Sequence, residues 1–167
     1  MGKKILIIDD DRTIRAMLEK TLILQGFWVY SAKDGEEGSD IAKKERPDLV
    51  ICDFLIPKIH GLDVCKIIKT TPELFQTKVI MMTGVYKGSF GPNEAKSCGA
   101  DDFFPKPLDM SKIVERVYEL LEVDPEEFKQ EFVKIDSEEG SQEEDSSDES
   151  VPDKTEPEGA EPDEADS

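Results

Sequence analysis

Apolar positions follow two alternating rhythms over the first 123 residues. Three short runs, Ile5 to Ile8, Leu49 to Cys52 and Val79 to Met82, are continuously apolar. Unbroken runs of this length predict strands buried on both faces of a parallel sheet. Between them lie stretches with helical spacing. Ile14, Met17, Leu18 and Leu22 recur at i, i+3, i+4 and i+8, which predicts a helix with one apolar stripe, ended by Gly26. Phe27, Val29 and Tyr30 predict a second strand, and a weaker helix follows from Gly35 to Glu45. Val64, Ile67 and Ile68 face inward on a third helix that leads to Pro72, and Asp102 to Phe104 form a fifth strand. Asp109 or Ser111 caps a long helix whose inward face is Ile113, Val114, Val117, Leu120 and Leu121. Strand and helix alternate throughout, which predicts a doubly wound α/β sheet.

Two stretches break the rhythm. Gly88, Gly91 and Pro92 interrupt the connection at 85 to 100, so the fourth helix can begin only near Asn93 and must stop at Gly99. It is expected to be short or irregular. Asp124, Pro125, Glu126 and Glu127 form a fresh helix start, with Phe128 and Phe132 as anchors onto the domain.

Charge changes the picture only at the end of the chain. The net charge is -18, but residues 1 to 123 hold 20 acids against 18 bases, whereas 124 to 167 hold 19 acids against 3. Beyond Ile135 the apolar content falls to Val151 and two alanines. Such a segment cannot bury enough surface to offset its ordering entropy. The expected organisation is a folded domain at 1–123, a short helix at 124–135 and a disordered acidic tail at 136–167. The tail reads as a solubilising appendage or as an arm for basic partners. Its acidity would repel DNA. No apolar run approaches the roughly 20 residues that span a bilayer, and Lys3 and Lys4 precede a strand pattern, not a leader. Cys52, Cys65 and Cys98 follow no metal spacing and read as buried thiols of a reducing cytoplasm.

The chemistry lies where the apolar runs end. Asp53 closes the third strand, and Asp9, Asp10 and Asp11 close the first. Asp53 alone equally suits a turn-starting acid. In an open parallel sheet, however, the carboxyl ends of the strands share one edge, where ligands bind. Carboxylates converging there would repel one another without a cation, and a hard, oxygen-ligated metal satisfies them. Thr83 ends the fourth strand with a hydroxyl, and Lys106 follows the fifth with an ammonium.

With these residues the chain resembles the receiver domains of two-component response regulators, the CheY-like superfamily. The matching motifs are Asp9 and Asp10, Asp53 with Pro57 and Gly61 in its loop, Thr83, and Lys106 before Pro107, at intervals of 44, 30 and 23 residues from Asp9 to Asp53 to Thr83 to Lys106. The resemblance implies a five-stranded parallel sheet in the order 2-1-3-4-5 with helices on both faces. It implies Asp53 as phosphoacceptor, and Mg2+ or Mn2+ held by Asp10, Asp53 and the backbone carbonyl of Leu55, with Asp9 acting through water. Lys106 and Thr83 would serve the transferred phosphoryl group, Thr83 and Phe103 would form the switch, and Lys106-Pro107 would be cis.

The resemblance further implies a sensor histidine kinase or histidine phosphotransfer protein as donor and a downstream protein as partner, with dimerisation left open. A stand-alone enzyme is not expected. Self-phosphorylation from a phosphodonor is, with slow self-dephosphorylation because Leu55 and Val85 offer water no base. The competing reading is an interaction module that keeps the acidic site but works without phosphorylation. Asp11 reads as a helix cap. His60, the only histidine, has no orienting partner in the sequence and reads as a loop residue.

Overall fold

The computed structural model describes residues 2–84 and 92–130. Val85, the glycine-bearing part of the 85–100 connection up to Gly91, Phe132 and the acidic stretch 136–167 lie outside the described residues.

The chain alternates β1 (Lys4–Ile8), α1 (Arg12–Leu24), β2 (Trp28–Ala32), α2 (Gly35–Glu45), β3 (Leu49–Asp53), α3 (Gly61–Thr70), β4 (Lys78–Thr83), α4 (Pro92–Ser97), β5 (Asp102–Pro105) and α5 (Met110–Leu121). All strand pairs are parallel, in the order β2-β1-β3-β4-β5. The continuous apolar runs are explained by burial on both faces. Leu6, Ile8, Val50, Cys52, Val79 and Met81 meet Val64, Cys65 and Ile68 of α3 on one side of the sheet. Ile5, Ile7, Leu49, Ile51, Ile80 and Met82 meet Leu18 and Leu22 of α1 and Ile113 and Val117 of α5 on the other. Each such side chain contributes roughly 1.5–3 kcal/mol by leaving water.

Capping fixes where the helices start. Asp11 accepts from the N–H groups of Thr13 and Ile14, Asp34 from that of Glu37, and Asp109 from those of Ser111 and Lys112. The fourth helix is six residues long, as the Gly and Pro positions require. Residues 125–130 are helical, capped by Asp124, and Phe128 is buried on a 4.8 Å stack with Phe27.

Two local readings are corrected. Phe27 precedes β2: its N–H bonds Leu22 O at 3.2 Å and closes the end of α1, and the ladder begins when Trp28 N–H bonds Lys3 O at 2.9 Å. Met17 is 43% exposed, because the stripe facing the sheet runs through Leu18 and Leu22.

The order of the strands positions the site. From β1 the chain moves outward to β2, then crosses back to β3 on the other side of β1. The carboxyl ends of β1 and β3 therefore flank the crevice where the winding reverses.

Candidate functional site

Asp53 is the last residue of β3, and Asp9 follows the last residue of β1. Ile8 pairs with Cys52 in the register, so the two acids emerge side by side. Both are buried. Asp10, one residue on, is exposed. Asp9, Asp10 and Asp53 each offer a carboxylate oxygen, and these oxygens lie within 4.8 Å of one another. They are the one such metal-ligating group among the described residues.

Lys106 answers this cluster from the end of β5. Its Nζ donates to Asp9 Oδ2 at 2.7 Å and to Asp53 Oδ2 at 3.1 Å. The Lys106 N–H bonds Thr83 O at 2.6 Å, and the Lys106-Pro107 peptide is cis. Burial raises the pKa of Asp53 above the ordinary carboxylate value, only partly offset by the charge of Lys106, and the charge of Asp9 raises it further. For Lys106, burial pulls the pKa down, but the hydrogen bond to Asp9 and the charges of Asp53 and Asp9 outweigh it, so the ammonium is favoured.

Three carboxyl groups against one ammonium leave the pocket short of positive charge. Two like charges about 4.8 Å apart repel by about 3–4 kcal/mol at an effective dielectric constant of 20. The donors are all hard oxygens, which fits a divalent cation of the magnesium or calcium kind.

Thr83 ends β4 one residue beyond Met82, which pairs with Asp53, so its side chain belongs to the same sheet edge. It is buried, and its hydroxyl donates to Gly84 O at 3.0 Å. Phe103 is half-buried on β5, with its ring edge-on to Phe54 at 6.1 Å. Leu55 is 44% exposed beside Asp53. His60 is the N-terminal flanking residue of α3 and makes no side-chain cap.

The sequence motif includes Pro57 and Gly61 of the scaffold beneath the Asp53 loop, but not the contacts they make. Gly61 passes so close to the Asp53 carbonyl that a Cβ there would collide with it. Gly35 N–H bonds Pro57 O at 3.2 Å, and Lys58, with φ 68°, reaches Asp34 at 3.2 Å and Glu36 at 3.0 Å. Arg15 was missed too: its Nη1 donates to Asp9 O at 2.7 Å. Only the glycines carry a local signal.

The model of the response regulator receiver domain matches residues 5–118 of this chain. The chain belongs to the response regulator receiver family. Response regulator MprA of Mycolicibacterium vanbaalenii is 34% identical over 122 residues, covering 72% of this chain and 51% of that protein. The alkaline phosphatase synthesis transcriptional regulatory protein PhoP of Bacillus subtilis is 35% identical over 121 residues, with 72% and 49% covered. This receiver chain thus spans about half the length of these curated relatives. Among solved structures, the chemotaxis response regulator CheY4 of Vibrio cholerae superposes with a TM-score of 0.66 at 27% identity, over 72% of this chain and 99% of that one. The signal receiver domain of a signal transduction histidine kinase from Syntrophus aciditrophicus gives 0.65 at 31%, over 72% and 91%. No described helix of the receiver is long and apolar enough to cross a membrane.

Proposed function

We propose that Asp53 is the phosphoacceptor of a two-component relay, and that its modification changes the affinity of the domain for a partner protein. The observation that carries this reading is one carboxylate, Asp53, within 4.8 Å of two further acids and 3.1 Å from a half-buried ammonium. An Asp53 carboxylate oxygen forms the new O–P bond as the P–N bond of a phosphohistidine breaks. The electron pair of that bond returns to the departing imidazole.

Asp10, Asp53 and the Leu55 carbonyl would hold Mg2+, or Mn2+ in its place, with Asp9 contributing through water. Such an ion supplies charge neutralisation for the phosphoryl oxygens. Lys106 adds a donor to those oxygens, and its shared bond to Asp9 holds it at the edge of the pocket. Thr83 exchanges its bond to Gly84 O for one to a phosphoryl oxygen, and Phe103 moves into the space this vacates. Leu55, exposed and apolar beside the site, offers water no base, so the acyl phosphate hydrolyses slowly.

The donor is a histidine kinase or a histidine phosphotransfer protein, and the downstream partner is a protein. Within the chain, 1–123 forms the receiver, the helical stretch 125–130 follows it as an appendage, and 136–167 is acidic in sequence. A second reading, an interaction module independent of phosphorylation, draws support from one observation, the six-residue α4.

The test is transfer from a radiolabelled phosphohistidine domain in Mg2+ buffer. Label is expected on the wild type and absent from Asp53→Asn. Equal labelling of both would overturn the assignment, and label on neither would favour the second reading.

A further inference from the structure

We propose that Arg15 is a positioning residue for the metal-binding acid pair Asp9 and Asp10. The inference rests on the reading of that pair as part of a Mg2+ site. Arg15 lies in the first turn of α1, where its N–H bonds Asp11 O at 3.1 Å. Side chains on a helix lean toward its N-terminus. Arg15 accordingly reaches back along α1, and its Nη1 donates to the Asp9 carbonyl at 2.7 Å. A guanidinium on a carbonyl is a charge-assisted bond, stronger than a neutral one.

That carbonyl belongs to the same planar peptide as the N–H of Asp10. Whatever fixes the plane fixes the direction in which Asp10 leaves the strand. The surrounding backbone is already committed: Asp9 N–H to Ala32 O at 3.1 Å, Asp11 N–H to Asp9 Oδ1 at 2.8 Å, and the Asp11 carboxylate to Thr13 and Ile14. Arg15 closes this set on its remaining side. Asp10 is exposed, so its carboxylate depends on the backbone for its aim. Groups that orient ligands from behind commonly change metal affinity by about 10–100-fold when removed.

The sign of the effect separates positioning from simple charge. A cation near the pocket repels Mg2+, so if Arg15 acted by charge alone its removal would tighten binding. If it positions Asp10, removal weakens binding.

The experiment titrates Mg2+ calorimetrically into the metal-free full chain as wild type, Arg15→Met and Arg15→Lys. Amide hydrogen exchange at Asp11 and thermal unfolding are measured on the same metal-free samples. Arg15→Met is expected to bind Mg2+ about tenfold more weakly, with faster exchange at Asp11 and unchanged exchange in β3 and β4. Arg15→Lys, which keeps the positive charge and a donor but ends one bond short of Nη1, is expected to restore only part of the affinity. Unchanged or tighter binding by Arg15→Met overturns the proposal, as does a loss accompanied by faster exchange throughout the sheet. Should wild type bind no Mg2+, the proposed function fails, and exchange at Asp11 still decides whether Arg15 orders this turn.

Discussion

Lys106 donates to Asp9 at 2.7 Å, closer than to Asp53 at 3.1 Å. The acidic pocket thus has its ammonium tied first to a fully buried acid. Asp9 is 0% exposed, and without Lys106 it loses its one cationic partner in the described ion pairs. Removing one member of a buried pair commonly costs about 3–5 kcal/mol. Lys106→Met is expected to lower stability toward the bottom of that range in metal-free buffer, since Lys106 is itself 18% exposed. Mg2+ is expected to recover part of the loss. Urea unfolding with and without Mg2+ measures both.

Asp53 keeps its proton to higher pH in the folded state than in the unfolded chain, because burial opposes its charge. The folded state therefore binds more protons between the two values, and stability falls as pH rises through that window. Asp53→Asn is expected to raise Tm at neutral pH, by about 2–4 °C for each kcal/mol relieved. The gain is expected to vanish below about pH 4, where an unperturbed carboxyl is also protonated. Calorimetry at pH 7 and pH 3.5 checks the sign.

A methyl group on Gly61 would strike the Asp53 carbonyl, whereas one on Gly38 would meet the side chain of Ile8 and no backbone. Gly61→Ala is expected to cost about 1–3 kcal/mol and to displace Asp53. Gly38→Ala is expected to cost less and leave the site in place. Denaturation midpoints and Mg2+ affinity of the two variants compare them directly.

Phe128 stacks on Phe27 at 4.8 Å and lies edge-on to Tyr118 at 6.3 Å, so residues 125–130 are packed onto the α1–α5 side of the domain. Phe128→Ala is expected to destabilise the receiver by about 3–5 kcal/mol without changing Mg2+ affinity. Thermal unfolding and a Mg2+ titration test the two halves of the statement.

The sheet is legible because burial on both faces leaves an unbroken apolar run, as at Leu49 to Cys52, whose short length between Pro47 and Pro57 favours a strand over a buried helix. The acids were legible because each closes such a run. Met17 was misjudged because i+3 and i+4 positions both fit a helical stripe until the sheet selects one line of it, here through Leu18 and Leu22. Phe128 is legible as an anchor after the Asp124 helix start, but its stacking partner Phe27 lies about a hundred positions away and no local pattern pairs the two. Lys58 on Asp34 and Arg15 on Asp9 were invisible for a related reason: an exposed or half-exposed cation looks the same in a sequence whether it faces water or holds a loop.

We propose that Asp53 accepts a phosphoryl group with the help of a divalent cation and Lys106. Intact mass after incubation with phosphoramidate tests it most directly, with wild type beside Asp53→Asn, each with Mg2+ and with a chelator. A single phosphoryl adduct is expected on the wild type in Mg2+ alone. An adduct of equal yield on Asp53→Asn, or on wild type in chelator, would contradict it.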